Sequence, residues 1–220
     1  AYTWRNGPLA LGIGSFAQGG LGTEYGKSSF LSQAAGGLNT GLENSSRLLV
    51  LNIPAAVSYA VTDKLTVGGS VDALWQGLNL GLLLGVDQVG SLIGAGRVNG
   101  SLVPMLGSFP ALRGVHFNLT KDNILASGVD SWGVGGRFGM TYKIAPDTMV
   151  GAAYTFQSRF ADLKGRATLT AVDAVAGQVA LEGDITLRNF QMPAHIDVGF
   201  SHKFNDQWTV AADVSRVFWR

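Results

Sequence analysis

The chain has 220 residues, of which 14% are charged and 31 are glycine, with a formal charge of +1 and no cysteine. A charged fraction so far below the soluble norm of about 25% argues against an ordinary solvated surface, and 46% hydrophobic residues exclude a disordered chain. The charge gives no reason to expect a nucleic-acid partner, and the missing thiols exclude a disulfide framework and thiolate metal sites.

Leu9, Leu11 and Ile13 alternate with Ala10, Gly12 and Gly14, which predicts a first strand over about 8–18. It runs into Gly19-Gly20-Leu21-Gly22, where paired glycines signal a kink or bulge, and a Gly/Ser/Asn/Thr-rich loop is expected over about 19–46. Leu49, Leu51, Ile53, Ala55, Val57 and Tyr59 mark a second strand, about 47–61. Pro54 inside it has no N–H for a ladder and predicts a local defect. Thr62-Asp63-Lys64 is a tight turn, and Leu65 to Trp75 alternates again as a third strand, about 65–76. A long connection, about 77–130, follows.

Trp132, Val134, Gly136, Phe138, Met140, Tyr142 and Ile144 lie on one face of a strand over about 131–144, with Arg137, Thr141, Lys143 and glycines on the other. Ala145-Pro146-Asp147-Thr148 turns the chain. Val150, Ala152, Tyr154 and Phe156 begin a partner strand, about 149–170. A loop over about 171–186, a strand over 187–204, a turn at Asn205-Asp206-Gln207 and a last strand over 208–220 complete the chain.

These strands are far longer than the soluble mode of about 5–6 residues. Short turns alternate with long loops. Tyr59, Tyr142, Phe204 and Trp208 flank the short turns, and Trp75, Trp132, Phe156 and Trp219 lie toward the long loops. Apolar faces bounded by two aromatic girdles, over small or polar opposite faces, predict an all-β, antiparallel transmembrane barrel in a Gram-negative outer membrane, crossed several times. All 220 residues are read as part of one barrel domain. Outer-membrane lipid and lipopolysaccharide are its expected surroundings.

The 77–130 connection is too apolar for a solvated loop. Leu82, Val86, Val89 and Ile93 follow helical spacing, and Leu102, Met105, Leu106 and Phe109 cluster around two prolines. Two readings are compatible: a cap folded onto its own barrel, and an extracellular groove for a hydrophobic solute, formed by these residues with Leu83 and Trp75. His195, Asp197 and Ser201 share a strand face, but i, i+2 neighbours stand about 7 Å apart along a strand, and polar lumen lining explains them better than a triad. His202 reads as an interface residue and His116 as isolated in the loop. No catalytic residue, metal site or cofactor is expected.

Four stretches carry a resemblance: LALGIGSFAQGGLGTEYG, NIPAAVSYAVTDKLTVGGSVDALW, SWGVGGRFGMTYKIAPDTMVGAAYTFQSRFADLKGRATL and MPAHIDVGFSHKFNDQWTVAADVSRVFW. In this order they resemble the FadL-type outer-membrane transporters of long-chain fatty acids and hydrocarbons, TodX-like toluene-uptake members included. The resemblance implies a barrel of about 14 strands plugged by an N-terminal hatch. It implies passive uptake of a hydrophobic small molecule, captured in an extracellular apolar groove and released sideways through the wall at a kinked strand. Gly19, Gly20 and Leu21 fall where the family places that kink.

By motif the chain corresponds to the family's third to ninth strands. The hatch with its Asn-Pro-Ala motif, the closing strands and the terminal aromatic residue are missing, and are expected as further segments of a longer parent protein. Fatty-acid members place cations by the ligand carboxylate, whereas here no Lys or Arg lies between Lys64 and Arg97. A carboxylate without a partner in an apolar pocket is costly, so a neutral aromatic hydrocarbon is expected ahead of a fatty acid. The alternatives are a general diffusion porin or a structural outer-membrane barrel. A barrel-embedded hydrolase and a soluble lipid-binding barrel fit less well.

Overall fold

The computed structural model describes residues 1–119 and 128–219. The end of the last expected strand, residue 220, and part of the 77–130 connection lie outside the described residues. The main wall is an antiparallel meander. It opens with β1 (Tyr2–Asn6), β2 (Leu9–Ile13) and β3 (Phe16–Glu24), the first paired with the second and the latter two both paired with β6 (Ser45–Ala60). Between β3 and β6, a short 3-10 turn at Phe30–Ser32 leads into the small ribbon of β4 (Gln33–Ala34) and β5 (Leu38–Asn39). The wall continues from β6 through β7 (Leu65–Gly85), β9 (Val129–Ala145), β10 (Thr148–Thr155), β14 (Ala194–Lys203) and β15 (Thr209–Phe218).

Alternation decides what each face meets. On β7 and β9, Val71, Trp132, Val134, Phe138 and Met140 are exposed, and Val71 is 71% accessible. Asp72, Leu74 and Gln76, one residue out of phase with Val71, are buried on the concave side. A water-soluble sheet would bury the first set. Here the apolar face points outward, as a lipid-facing wall requires. Among the described residues no helix is long and apolar enough to cross a membrane.

The sheet forks at Leu78. Below it β7 pairs with β9, down to Leu65 opposite Tyr142. Above it, Gly81 to Gly85 pair instead with β8 (Leu112–Asn118). β8 pairs with β12 (Leu163–Asp173), which pairs with β13 (Gly177–Leu187), while Lys164 and Gly165 of β12 rejoin β9 at Asp130 and Val129. This excursion carries α1 (Val86–Gly94) and α2 (Val103–Leu106).

Several expected boundaries are corrected. The strand expected to end near residue 18 continues as β3 to Glu24, and a further strand, β1, precedes it. The third strand runs on to Gly85 because Leu78, Leu80, Leu82 and Leu84 alternate with Gly77, Asn79, Gly81 and Leu83. The stretch expected as a loop over 171–186 is mostly hairpin: β12 and β13 pair from Leu163–Leu187 to Asp173–Gly177. The expected 149–170 strand is three pieces, with β11 (Arg159–Phe160) in the middle pairing with β9. There the chain leaves the wall, and the returning segment substitutes for a ladder. Gln191 clamps Phe160, its Oε1 accepting from the Phe160 N–H at 2.7 Å and its Nε2 donating to the Phe160 carbonyl at 3.0 Å. Ser158 exchanges bonds with Met192 in the same way.

Two apolar cores stabilise the excursion. One gathers Val89, Leu106, Val115, Leu169 and Ala171, the other Leu119, Val129, Leu163 and Ala167. The segment after β3 docks on the excursion's other side through Asn44, which is 2% exposed. Its amide nitrogen donates to the Leu31 carbonyl at 3.1 Å, and its oxygen accepts from the Leu83 N–H at 2.8 Å. His116, far from isolated, is buried in β8 with Nε2 2.8 Å from the Glu43 carbonyl. Burial holds its pKa below the ordinary 6.5, against the opposing pull of the Glu43 carbonyl and carboxylate. The Asp173 carboxyl is pushed up by burial, but the N–H groups of Ala176, Val175 and Ala111, with the Arg113 guanidinium, outweigh this and hold it below the usual range.

This docking yields two predictions. Asn44→Ala orphans the part-buried Leu83 N–H and Leu31 carbonyl, each costing up to about 1–3 kcal/mol, the figure for full burial. Hydrogen exchange of residues 26–44 is expected to accelerate while the assembled wall stays protected. Separately, a depressed histidine pKa leaves docking at full strength above 6.5 and weakens it as pH falls from there through the docked-state value, because only the undocked state then takes up the proton. Exchange protection of residues 26–44 is expected to drop as pH falls below about 6.5, and His116→Gln to flatten that dependence.

Candidate functional site

The apolar residues singled out in the sequence divide into three groups. The first is the α1/α2 assembly. α1 starts after Gly85, whose N–H is met by Gln88 Oε1 at 2.9 Å, with Asp87 in the first turn complementing the helix dipole. It stops before Gly96, a left-handed residue at φ +67° that only glycine adopts without strain. Val89 and Leu106 are buried, and Ile93 and Phe109 pack against them. Leu102 lies over Gly183 of β13, its Cδ1 2.9 Å from where a Cβ would stand. Val86 and Met105 stay exposed at 38% and 46%.

The second group is Leu82 and Leu83, which belong to β7 and not to the helix. Leu82 stands opposite Phe117 and Leu83 opposite His116. The Leu83 side chain lies beside Gly114, next to Ala34 of the docked segment. The third is Trp75, which is out of phase with Leu74 and Gln76. It shares the outer face with Trp132, directly opposite, and donates from Nε1 to Asp130 Oδ2 at 2.9 Å. The structure therefore brings Val86, Val89, Ile93, Leu102, Met105, Leu106 and Phe109 to one end of the molecule and leaves Trp75 on the barrel's outside.

Below the fork the concave face holds an open cavity of about 870 Å³, lined mainly by small and apolar residues such as Ala56, Val67 and Ala152, with Ser70, Arg137 and Asp197 among its polar members. Its polar side chains bond one another. Arg137 Nε donates to Thr155 Oγ1 at 3.0 Å, and His195 Nε2 lies 3.4 Å from Asp197 Oδ2. The Ser215 hydroxyl, not Ser201, donates to Asp197. The carboxylate sits between hydroxyl and imidazole, so the imidazole is not placed to take the hydroxyl's proton as a triad base must. His202 bonds Thr148 Oγ1 at 2.8 Å at the turn end. Among the described residues no cluster of His, Cys, Asp or Glu could hold a metal ion.

Among the described residues the wall is interrupted between β2 and β3, at a place the sequence gives only in part. Gly19, Gly20 and Leu21 pair in an unbroken run with Val50, Leu49 and Leu48. The ladder between β2 and β6 ends at Ile13–Ala55 and resumes at Phe16–Asn52. Gly14 and Ser15, between them, fall opposite Pro54 and Ile53. The cause is Pro54. Ala60 donates its N–H to the Pro8 carbonyl, so β6 residues in phase with it turn their backbone groups toward β2. Pro54 is in phase and has no hydrogen to give. A register shift between Ala17 and Gly19 follows at once. Gly14, Ser15 and Phe16 were not singled out by the sequence. The signal was Pro54, whose partner cannot be named until the register is known.

The model of the outer membrane protein transport protein family (OMPP1/FadL/TodX) matches residues 2–220. The toluene transporter TbuX of Ralstonia pickettii is 54% identical, with a TM-score of 0.87 over 99% of this chain and 53% of its own. The toluene transporter TodX of Pseudomonas putida is 44% identical, with a TM-score of 0.87 over the same shares. The monoaromatic hydrocarbon channel CymD is 46% identical, with a TM-score of 0.80 over 99% of this chain and 52% of its own. No curated protein matches. The chain spans about half the length of these solved structures. With an inside-out antiparallel wall and a family match along nearly its whole length, this chain belongs to the OMPP1/FadL/TodX family of outer-membrane transport proteins.

Proposed function

We propose that the protein containing this chain carries neutral, hydrophobic small molecules, monoaromatic hydrocarbons first among them, passively across the outer membrane. The observation that carries this reading is the wall interruption opposite Pro54, lying between a lipid-facing surface and the cavity of the concave face, below the apolar α1/α2 assembly. A solute enters at the α1/α2 end, where Val86 and Met105 offer uncovered apolar surface and transfer from water is favourable by about 25 cal/mol per Å². The polar row of Arg137, Thr155, His195 and Asp197, just below the level of the break, is a poor path for an apolar molecule. Exit through the break at Gly14 and Ser15 avoids it.

Two supports bear on the substrate. The similar proteins TodX and TbuX are toluene transporters, and CymD is a monoaromatic hydrocarbon channel. Residues 65–96, which include the capture surface of α1, contain no Lys or Arg to meet a carboxylate. Arg137 and Asp197 in the otherwise largely apolar cavity wall favour a second reading, a general diffusion pore.

Uptake of toluene, oleate and arabinose by cells carrying the full-length parent separates the readings. Toluene entering fastest is expected, and equal entry of arabinose supports the general pore. Val86→Asp with Met105→Asp, both at exposed positions, is expected to lower toluene uptake at limiting concentration by about tenfold, each loss of about 1.4 kcal/mol in capture being one factor of ten. Arabinose entry and barrel assembly should stay unchanged.

A further inference from the structure

We propose that Phe16 is a shutter over the wall break and sets the width of the solute that leaves through it; this rests on the lateral route proposed above. Three observations place the ring there. Phe16 stands opposite Asn52, whose amide reaches Asp72 Oδ2 at 3.3 Å on the concave face, and paired residues of a ladder share a face. Phe16 is therefore on the cavity side. A Cβ built on Gly14 would lie 2.6 Å from Phe16 Cε2 and 2.8 Å from Cζ. The ring thus folds back along the strand and rests on Gly14, the residue that has lost its ladder partner. Glycine at this position is a requirement of that pose, not of the backbone, which is not left-handed there.

The third observation is that little else within this chain holds the ring. It is 51% exposed, and it joins none of the edge-to-face aromatic pairs found among the described residues. An aromatic side chain that is half exposed changes rotamer on a picosecond-to-nanosecond scale. Swinging it off Gly14 breaks no ladder hydrogen bond, because Gly14 and Ser15 lie outside both ladders. Ser15, on the opposite face and across from Ile53, adds little bulk on the lipid side. The width of the passage is then fixed by where the Phe16 ring can go. A narrow planar solute such as toluene passes with the ring displaced to one side. A wider one such as naphthalene meets it.

The test uses the full-length parent in cells, with heat-modifiable gel migration to select assembled variants. Ser15→Cys with Ile53→Cys places thiols opposite each other across the break. Oxidation to the disulfide should abolish toluene uptake, and reduction should restore it. Phe16→Ala, which removes the whole ring, should raise naphthalene uptake at least about tenfold relative to toluene, since a single methylene of room in an apolar pocket already gives about that discrimination. Phe16→Tyr should keep the original ratio. Gly14→Ala, which pushes the ring away, should raise the ratio in the Phe16 background and do nothing further in the Phe16→Ala background. If oxidation abolishes uptake but Phe16→Ala leaves the naphthalene-to-toluene ratio unchanged, the route stands and the shutter is overturned. If the disulfide forms and uptake persists, the lateral route itself fails and the shutter with it.

Discussion

Inside a bilayer no water is available to a backbone N–H or C=O, and each unpaired group costs several kcal/mol. Everything in this wall follows from that constraint. It explains strands as long as β6 and β7, paired residue by residue from Ala60–Thr66 to Ser45–Gly81. It explains why β10 does not stop where it leaves the wall but passes its pairing to Ser158 and to the Gln191 amide, which binds Phe160 as a neighbouring strand would. Against such complete pairing, one missing hydrogen at Pro54 stands out. A proline in the middle of a spanning strand leaves its partner strand locally unbonded, and the chain answers with Gly14, Ser15 and a register shift three residues on.

The fork at Leu78 is the second organising feature. A wall strand that continued straight would place Leu80, Leu82 and Leu84 in solvent. Switching partners from β9 to β8 gives them apolar neighbours, since Leu84 faces Val115, and Leu78 and Leu80 pack on the second core. The excursion can therefore be apolar without being a membrane segment. The same arrangement splits the helical stripe in two. Val89 and Leu106 build the cap, while Val86 and Met105 remain at its surface. The apolar residues of this stretch thus divide between the core and the surface of one assembly.

Strand identity and facing were legible in the sequence because a period of two is local information. From Trp132 to Ile144 every second residue could be assigned to a face without a partner strand. The helix from Val86 was also legible, but its apparent first member was not. Leu82 fits a helical spacing with Val86 and an alternating one with Leu80 and Leu84, and only the presence of β8 decides for the strand. The β12–β13 hairpin was missed because its turn, Ala174-Val175-Ala176-Gly177, lacks the Asn-Gly or Asp-Gly signature, although Val179, Leu181, Ile185 and Leu187 alternate with Ala180, Glu182, Asp184 and Thr186. The break at Gly14 was half legible. Pro54 announced a defect, while the paired glycines at 19 and 20 drew attention away from its site. Naming the residue opposite a proline needs the register, and that is set by the whole of β2 and β3 against β6.

The Trp75–Asp130 hydrogen bond, on the outer face just below the fork, has a bearing on how the molecule sits in its lipid. An indole ring favours the headgroup boundary, where its plane stays in the acyl region and its nitrogen meets polar groups. Here the nitrogen already has its partner in Asp130, and Trp132 stands directly opposite with 60% of its surface free. The two rings mark one height on the outer wall, and that height coincides with the level where β7 leaves β9 for β8. The waterline of the outer leaflet is thereby tied to the branching of the sheet. The excursion begins where the hydrocarbon ends, so the depth of immersion and the position of the cap are set by the same few residues.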